Sequence, residues 1–320
     1  MTILVTGGYG FIGSNYIRYL LDYHPEYDII NIDAVTYAAN KKNLADVANK
    51  ITTFEIDICN GREMDYIFDE YRPDIVVHFA AETHVDNSIY NPRAFIRTNV
   101  EGTGALLDLC LKYKVKRFHY VSTDEVYGDL PLDRPDLLFT EDSLIKPSSP
   151  YSSSKAAGDL LTLAYGRTYG LPVSVTRCSN NYGRHQHEEK LIPHMIKKAI
   201  NHEKLPVYGN GLNVRDWLHV WDHCSVIDMI IHNDATIGEV YNVGGNNEIM
   251  NIAIVEMLCD ILHKSYDNIE YVADRPGHDL RYAIDSSKLQ ALGWKPQMDF
   301  HDGMLDTVEW YVKKYAGLEV

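Results

Sequence analysis

The sequence predicts an α/β fold in which a doubly wound parallel sheet carries helices on both faces and is followed by a smaller C-terminal α/β lobe. Two observations support this prediction. In the first half of the chain, short runs rich in β-branched residues alternate with longer amphipathic stretches, a rhythm typical of βαβ units. After about residue 180 the pattern changes to loops rich in Gly, Asn and His between further helices.

The elements follow from this rhythm in chain order. Buried strands are predicted at residues 3–5, 29–32, 52–56, 74–80, 117–121 and 173–177. Helices are predicted near residues 10–22, 61–71, 91–113 and 151–169, and in the second half near residues 192–201, 221–232, 251–263 and 300–315. The run at residues 240–243 is a candidate to return to the first sheet as a further strand.

Composition restricts the function classes. The 320 residues carry 30 basic and 45 acidic side chains, and the net charge of −15 disfavours nucleic acid or an anionic membrane as a partner. The five cysteines are scattered without a C-x-x-C pair, so neither a disulfide framework nor a zinc site is predicted. No leader or long apolar run is evident, and we expect a protein of the reducing cytoplasm.

A glycine-rich turn, GGYGFIG, follows the first predicted strand directly and opens a helix. Gly7 allows the tight turn, Gly10 lets the backbone approach a pyrophosphate, and Gly13 lets the helix pack against the strand. Asp33 ends the next strand, twenty residues after Gly13, where a carboxylate accepts hydrogen bonds from an adenosine ribose. Together these features predict a Rossmann-type dinucleotide site.

Asp33 also indicates which dinucleotide is bound. Its carboxylate would repel the 2′-phosphate of NADP, and Ala34 follows it in place of an Arg or Lys. We therefore expect NAD as the cofactor. The predicted NAD-binding domain covers residues 1–180, and residues 181–320 form the predicted substrate-holding lobe.

Tyr151 and Lys155 are four residues apart on one face of a predicted helix whose entry is marked by Pro150. A cation at that distance is expected to lower the phenol pKa and to hold the cofactor ribose, which makes Tyr151 a candidate base near neutral pH. Because a Y-x-x-x-K pair also occurs on solvated helices, this pair alone is weak evidence.

Thr123, Asp124 and Glu125 follow a predicted parallel strand, at the end where such sheets bind ligands. Adjacent carboxylates in a dry pocket do not readily ionise together, so one can serve as an acid and the other as a base. The alternative is a solvated turn after a strand.

Nine segments in order, TGGYGFIGS, HFAAETHVDNSI, STDEVYG, SPYSSSK, CSNNYG, EKLIP, NVRDWLHV, YNVGGNNE and DRPGHDLRYAID, run from end to end of the chain. In these segments the sequence resembles the dTDP-glucose 4,6-dehydratase family of extended short-chain dehydrogenases/reductases. The resemblance implies a lyase that dehydrates dTDP-glucose to dTDP-4-keto-6-deoxyglucose for deoxysugars such as rhamnose, and whose NAD can stay bound through the cycle.

The resemblance also implies residue roles. Tyr151 would deprotonate the sugar 4-hydroxyl while C4 gives a hydride to NAD, with Thr123 hydrogen-bonded to that oxygen. Glu125 would then remove the C5 proton, and Asp124, held protonated, would give a proton to the departing 6-hydroxyl before the hydride returns to C6.

The cofactor contacts implied or predicted lie on the glycine turn, at strand ends and on the catalytic helix: Gly7, Gly10, Phe11, Ile12, Gly13, Asp33, Ala34, Val35, Thr36, Asp57, Ile58, Phe79, Ala80, Ala81, Thr83, Thr98, Tyr151, Lys155 and Asn181. For Asp57 an alternative stays open, because the carboxylate could instead be the N-cap of the following helix.

The implied substrate contacts are Thr83, Thr123, Asn180, Lys190, Leu191, Pro206, Val207, Tyr208, Arg215, Asn251, Arg275 and His278. Among them Arg215 best resembles a diphosphate clamp, since a guanidinium can bind two phosphate oxygens at once. His185 and His187 are expected to be ordinary polar loop residues, and no metal is predicted at the site.

The helices predicted at residues 91–113 and 151–169 resemble those that pair in a four-helix dimer contact, so a homodimer is expected. Three other interpretations of the function remain. A UDP-sugar 4-epimerase or decarboxylase would share Tyr151 and Lys155 but has no evident use for Asp124 with Glu125. A UDP-glucose 4,6-dehydratase would keep all of them, and a catalytically inactive NAD-binding regulator would be expected to lose Tyr151 or Lys155.

Overall fold

The computed structural model of the protein describes residues 1–274 and 277–318. The strands among them are β1 (Thr2–Thr6), β2 (Asp28–Ile32), β3 (Thr52–Phe54), β4 (Ile75–His78), β5 (Arg117–Thr123), β6 (Val173–Cys178), β7 (Asn180–Tyr182), β8 (Leu205–Tyr208), β9 (Val214–His219), β10 (Val240–Val243), β11 (Glu248–Met250) and β12 (Ile269–Val272).

The α-helices are α1 (Phe11–Tyr23), α2 (Gly61–Tyr71), α3 (Val85–Tyr90), α4 (Pro92–Ile96), α5 (Thr103–Tyr113), α6 (Pro150–Tyr169), α7 (Leu191–Ile200), α8 (Val220–Ile231), α9 (Asn251–Ile261), α10 (Ser287–Gln290) and α11 (Phe300–Tyr315). Short 3-10 turns cover Lys41–Lys50, Asp124–Tyr127, Asp234–Thr236 and Tyr266–Asn268. None of the helices in the described residues is long and apolar enough to cross a membrane.

Seven strands form one parallel sheet in the order β10-β6-β5-β4-β1-β2-β3. Successive side chains alternate between its two faces. Ile3 and Val5 of β1 pack with α1 and α8 on one face. Leu4 packs on the other face with residues of α2 and α5. Helices cover both faces of the sheet, so its strands are largely buried, and the predicted α/β fold class is confirmed.

Two elements from the second half of the chain belong to this sheet layer. Strand β10 pairs in parallel with β6, with Val240 opposite Val175. Helix α8 packs against α1, and its buried Cys224 and Ile227 join the same apolar cluster. After crossing into the second layer, the chain thus returns to the first. The domain boundary at residue 180 stays a prediction.

The smaller lobe contains a three-stranded sheet in the order β11-β9-β7 and a parallel pair of β8 with β12. Helices α7, α9 and α11 surround its core, in which Ile196, Leu258 and Tyr311 are buried. The lobe begins at the carboxyl end of β6, since β7 starts two residues after β6 ends.

The helix predicted at residues 91–113 is continuous from Pro92 but contains a wide π-helical turn at Arg97–Gly102. Asn99 in this turn donates to the backbone oxygen of Glu82 at 3.1 Å and to Ser154 Oγ at 2.8 Å. These bonds tie the wide turn to the loop after β4 and to α6. A π-turn of this kind often lies at a functional site.

Candidate active site

A cavity of about 380 Å³ lies where five parallel strands end. Its lining includes the residue that follows each strand: Gly7 after β1, Asp33 after β2, Phe79 after β4, Asp124 after β5 and Ser179 after β6. Ligands of open parallel sheets bind at this edge, where the strand order reverses. The fold therefore brings residues from distant parts of the sequence to one site.

Two glycines of the turn, Gly7 and Gly13, have no space for a side chain. Gly7 has a φ of 75°, and a Cβ added to it would lie 2.8 Å from the backbone nitrogen of Ala80. A Cβ on Gly13 would lie 2.3 Å from the carbonyl oxygen of Gly7. Helix α1 begins at Phe11 without a side-chain cap, so its first N–H groups stay open to a phosphate. This cradle fits a dinucleotide pyrophosphate.

Asp33 is held in place by the backbone. One carboxylate oxygen accepts from Tyr9 N at 2.9 Å and the other from Val35 N at 2.8 Å. Burial raises the pKa of Asp33, and these two hydrogen bonds only partly offset it. The carboxylate thus faces the cavity at the position predicted for the adenosine ribose.

Asp57 does not cap the following helix. The N-cap of α2 is Asn60, whose side chain accepts from Glu63 N. Asp57 instead accepts from Cys59 N at 2.9 Å and pairs with Arg97 at 2.7 Å. Burial raises its pKa, but these partners outweigh burial and the net shift is downward. The helix-cap alternative is wrong, and Asp57 lines the cavity.

Every predicted cofactor contact except Val35 lines this cavity. Lining residues that the sequence analysis did not assign to the site are Ile32, Ala38, Ala39, Ile56, Glu82, Ala94, Arg97, Val121, Ser122, Cys178, Ser179, Gln186, His187 and Glu189. Many are chain neighbours of a predicted contact, as Ser122 is of Thr123, and that adjacency was the available signal. Ser122 Oγ and Asn180 Oδ1 are buried without a hydrogen-bond partner among the described residues, which suits a polar ligand.

Thr123, Asp124 and Glu125 form the transition from β5 to a 3-10 turn. Thr123 is extended, and its Oγ1 accepts from Glu125 N at 3.3 Å and lies 3.4 Å from Asp124 Oδ1. Because β5 is buried along its whole length, this turn is fixed beneath the cavity. The turn is therefore not the solvated alternative considered above.

Asp124 is 1% exposed, and its Oδ2 has no hydrogen-bond partner among the described residues. Burial raises the pKa of Asp124 well above its usual range, and the nearby charges of Glu125 and Asp216 raise it further. Burial and neighbouring negative charge both favour the protonated form of this carboxyl. It can therefore act as a proton donor, the role predicted for it.

Tyr151 and Lys155 both line the cavity from α6. Lys155 Nζ donates to the backbone oxygen of Val121 at 2.7 Å and lies 4.3 Å from the ring centroid of Tyr120. Burial lowers the pKa of Lys155 to about 8. The pKa of Tyr151, in contrast, is raised by burial and by the charge of Glu125. The predicted lowering of the Tyr151 pKa is wrong for this structure, because burial of the phenol raises it and the Lys155 ammonium donates to Val121 instead.

The predicted substrate contacts divide into two groups. Thr83, Thr123, Asn180 and Lys190 line the cavity, and Lys190 Nζ donates to the backbone oxygen of Thr83 at 3.3 Å. The others within the described residues lie outside the lining: Leu191, Pro206, Val207, Tyr208, Arg215, Asn251 and His278. Arg275 lies outside the described residues.

Two of these outer residues, Tyr208 and Arg215, contact the segment after residue 276. The rings of Tyr208 and His278 lie 6.2 Å apart. Arg215 donates to the backbone oxygen of Asp279 at 2.8 Å, and its guanidinium lies 4.2 Å from the ring centroid of Tyr282. Arg215 is buried, and its charge acts on Asp124 by lowering the pKa of that carboxyl. The predicted clamp thus lies beside the acid, with its donors turned to backbone carbonyls.

His185 and His187 differ in their surroundings. His185 Nδ1 lies 3.2 Å from Asn43 Oδ1, and burial lowers its pKa to about 3. His187 lines the cavity, with Nδ1 3.5 Å from Glu189 Oε2. The cavity therefore has a polar rim that the sequence analysis treated as an ordinary loop.

Comparison with known proteins agrees with this geometry. A family model described as GDP-mannose 4,6 dehydratase matches residues 4–307. The curated dTDP-glucose 4,6-dehydratase 1 of Escherichia coli K12 is 49% identical, covering 98% of this chain and 93% of its own. The crystal structure of a Bacillus anthracis dTDP-glucose 4,6-dehydratase with NAD has 47% identity and a TM-score of 0.92, with 99% and 98% coverage. That of the Streptomyces venezuelae enzyme with NAD and TYD bound has 43% identity and a TM-score of 0.94, with 100% and 99% coverage.

Proposed function

The chain belongs to the GDP-mannose 4,6-dehydratase family and, within it, to the dTDP-glucose 4,6-dehydratases, and we propose that it converts dTDP-glucose to dTDP-4-keto-6-deoxyglucose as an NAD-dependent hydro-lyase. The sugar is oxidised at C4, loses water between C5 and C6, and is reduced at C6, so there is no net oxidation. When bound, NAD would supply the hydride acceptor and then the hydride donor, held by the glycine turn, Asp33 and Lys155.

The observation that carries this proposal is the buried Asp124, whose pKa is raised by burial and by the charge of Glu125, in a cavity shared with Glu125 and Tyr151. Water elimination needs one group that gives a proton to the leaving oxygen and another that removes the C5 proton. A 4-epimerase moves a hydride on and off C4 and has no step for this pair. The carboxyl pair therefore favours dehydration over epimerisation.

In the oxidation step, Tyr151 takes the proton of the 4-hydroxyl while Thr123 binds the same oxygen. The neutral phenol is the stable form in the buried site, so its ionisation needs positive charge nearby. Lys155, with a pKa of about 8, is largely protonated at neutral pH and supplies part of that charge. Lys155 also holds the cofactor ribose in this proposal.

In the elimination step, Asp124 protonates the 6-hydroxyl and Glu125 removes the C5 proton. Once C4 is a ketone, the C5 proton is acidic enough for a carboxylate base. Asp124 must be neutral at the start, and its burial beside Glu125 supports that state. The deeper burial of Asp124, which favours its protonated form, thus supports Asp124 as the acid and leaves Glu125 as the base.

We assign the cofactor and substrate residues from the family resemblance and the lining of the cavity. The glycine turn, Asp33 and Asp57 hold the dinucleotide, and Thr83, Asn180 and Lys190 bind the sugar nucleotide. The outer residues, with Arg215 first among them, are proposed to reach the diphosphate and nucleoside. In this proposal residues 1–180 bind NAD and residues 181–320 form the substrate lobe.

We further propose that the protein works as a homodimer in the cytoplasm and supplies deoxysugar biosynthesis, rhamnose included. Apolar side chains exposed on the helices around residues 91–113 and 151–169 support the dimer. Ile96 on α4 is 51% exposed and Leu160 on α6 is 52% exposed. Apolar groups on adjacent helices would lose this exposure in a helix-to-helix contact.

The direct test is to incubate the purified protein with dTDP-glucose, and separately with UDP-glucose, and to measure the mass of the sugar nucleotide. We expect loss of one water from the dTDP sugar, and no loss in the double variant Asp124→Asn, Glu125→Gln. Unchanged mass with conversion to the galacto isomer would mean an epimerase. Faster water loss from UDP-glucose would move the assignment to a UDP-glucose 4,6-dehydratase.

A further inference from the structure

Outside the cavity, His24, Asp228 and His232 form a compact cluster. His24 Nε2 lies 2.9 Å from Asp228 Oδ1, and His232 Nδ1 lies 3.2 Å from the same oxygen. Of the His, Cys and acidic residues in the described part of the chain, these form the one trio whose ligand atoms all lie within 4.8 Å of one another. The reaction proposed above uses none of the three.

Two helix ends converge on this cluster. His24 is the C-cap of α1, and His232 is the C-cap of α8, one turn after Asp228. The unpaired carbonyl groups at a helix C-terminus carry partial negative charge, which favours a cation. Two such ends and a carboxylate therefore make this point of the surface attractive to positive charge.

We propose that His24, Asp228 and His232 bind a divalent transition-metal ion of the zinc type. Two imidazoles with one carboxylate are a ligand set for zinc, nickel or copper, whereas magnesium and calcium prefer oxygen ligands alone. His24 and Asp228 are half-buried and His232 is exposed, so water can complete the coordination.

Tyr27 supports this assignment. If His232 binds the metal through Nδ1, its other ring nitrogen carries the proton and needs an acceptor. Tyr27 Oη lies 3.1 Å from His232 Nε2 and fills this role. Metal-binding histidines are commonly oriented by such a partner. In this tautomer His232 gives up its present 2.8 Å contact between Nδ1 and the backbone oxygen of Asp228.

Metal binding would cross-link two helices. Helices α1 and α8 already pack together through Leu20 and Ile227, and the metal would join their ends across 204 residues of sequence. The first helix after the glycine turn would thereby be tied to an element from the second half of the chain. Metal that binds only the folded state raises its stability.

The test is titration of zinc chloride into the tag-free protein by isothermal calorimetry, with thermal unfolding measured in parallel. We expect one site per chain with micromolar affinity and a higher Tm in zinc. His24→Ala and the similarly sized Asp228→Asn should each weaken binding by about tenfold or more and remove the Tm gain. Magnesium chloride should produce neither effect.

His301→Ala is the matched control, since His301 is an exposed histidine at the start of α11. It should bind zinc as the unchanged protein does. No binding below millimolar zinc, or equal affinity in His24→Ala and His301→Ala, would overturn the proposal. Because the site does not take part in the chemistry, dehydration of dTDP-glucose should persist in EDTA, so this proposal and the proposed function can fail independently.

Discussion

At the residue scale, Asp124 lowers the stability of the folded protein, and its proposed role as an acid explains why a buried carboxyl is present. Its folded-state pKa lies above the unfolded value of about 3.9, because burial and two neighbouring carboxyl groups disfavour its charge. In the pH range above the unfolded pKa and up to the folded pKa, the folded protein keeps a proton that the unfolded chain has lost. This residue therefore lowers stability as pH rises through that window.

We expect Asp124→Asn to abolish dehydration and to stabilise the fold at higher pH. General acid catalysis contributes about 10²–10⁴ in rate, so kcat should fall by at least about a hundredfold. The gain in unfolding free energy should grow from pH 5 to pH 8, by up to about 1.4 kcal/mol per pH unit. Urea unfolding at both pH values measures this, with exposed Asp133→Asn as the control. A stability difference that stays constant with pH would mean that Asp124 is ionised.

A second residue prediction concerns Asp33. Removing a charged acceptor of ribose hydroxyl groups costs about 1.5–3 kcal/mol, so Asp33→Ala should weaken NAD binding by roughly ten- to a hundredfold. The loss of 2′-phosphate repulsion should leave NADP binding unchanged or improved. Calorimetry with both dinucleotides measures these affinities. Asp28→Ala, an exposed change at the start of the same strand, should have no effect. Equal NAD affinity in the two variants would argue against the ribose role.

At the element scale, α6 places the catalytic pair through its first turn. Ser149 caps the helix by accepting from Ser152 N at 3.0 Å, and Ser152 Oγ accepts from Ser149 N at 3.0 Å. Pro150 fixes the first helical residue. The position of Tyr151 therefore depends on a capping box only two residues away.

We expect Ser149→Ala to lower the free energy of unfolding by about 1 kcal/mol. Because fraying of this turn moves Tyr151, kcat should also fall severalfold, which denaturant unfolding and steady-state kinetics would detect together. Exposed Ser153→Ala on the same helix is the control and should change neither quantity. If kcat does not change while stability falls, the cap does not position Tyr151.

Elements with strong local signals could be predicted from the sequence. Helix α2 begins and ends at the predicted residues 61 and 71, since its apolar face and following strand are both local patterns. Strands β8 and β12 were not predicted, because Pro206 interrupts the short run of β8 and a proline argues against a strand, and β12 pairs with β8. The wide turn at Arg97–Gly102 depends on bonds from Asn99 to another helix and a loop.

The candidate site likewise has features that local sequence predicts and features that depend on distant contacts. Spacing predicted that Tyr151 and Lys155 share a helix face, but it could not predict that Lys155 points to Val121. Cys178 ends β6 at the cavity, whereas Glu189 lines the cavity from the loop that leads into α7. Local motifs therefore predicted which residues take part, whereas the charge state of Tyr151 depends on surroundings that no spacing encodes.

At the scale of the whole molecule, the two halves are joined by exchange of elements. Strand β10 and helix α8 come from the second half and complete the first layer. Movement of the substrate lobe as a rigid unit would have to bend the chain on both sides of these elements. The first layer, which carries the catalytic residues of β5 and α6, is thus completed by elements from the second half of the chain.

The proposed homodimer gives a prediction at this scale. Leu160→Asp should convert a dimeric mass to a monomeric one, because a charge in an apolar contact is costly to bury. Leu144→Asp, which changes a leucine that is 72% exposed and lies on neither helix, should stay dimeric. Solution scattering at micromolar concentration measures both masses. A monomeric mass for the unchanged protein would exclude the dimer.

The central claim is that one site removes a hydride from C4, expels water and returns the hydride to C6. Its most direct test is incubation with dTDP-glucose that carries deuterium at C4, followed by mass spectrometry and NMR of the product. We predict a product that has lost one water and holds the deuterium at C6. A product that has lost water but not kept the deuterium, or a sugar nucleotide of unchanged mass, would contradict the account.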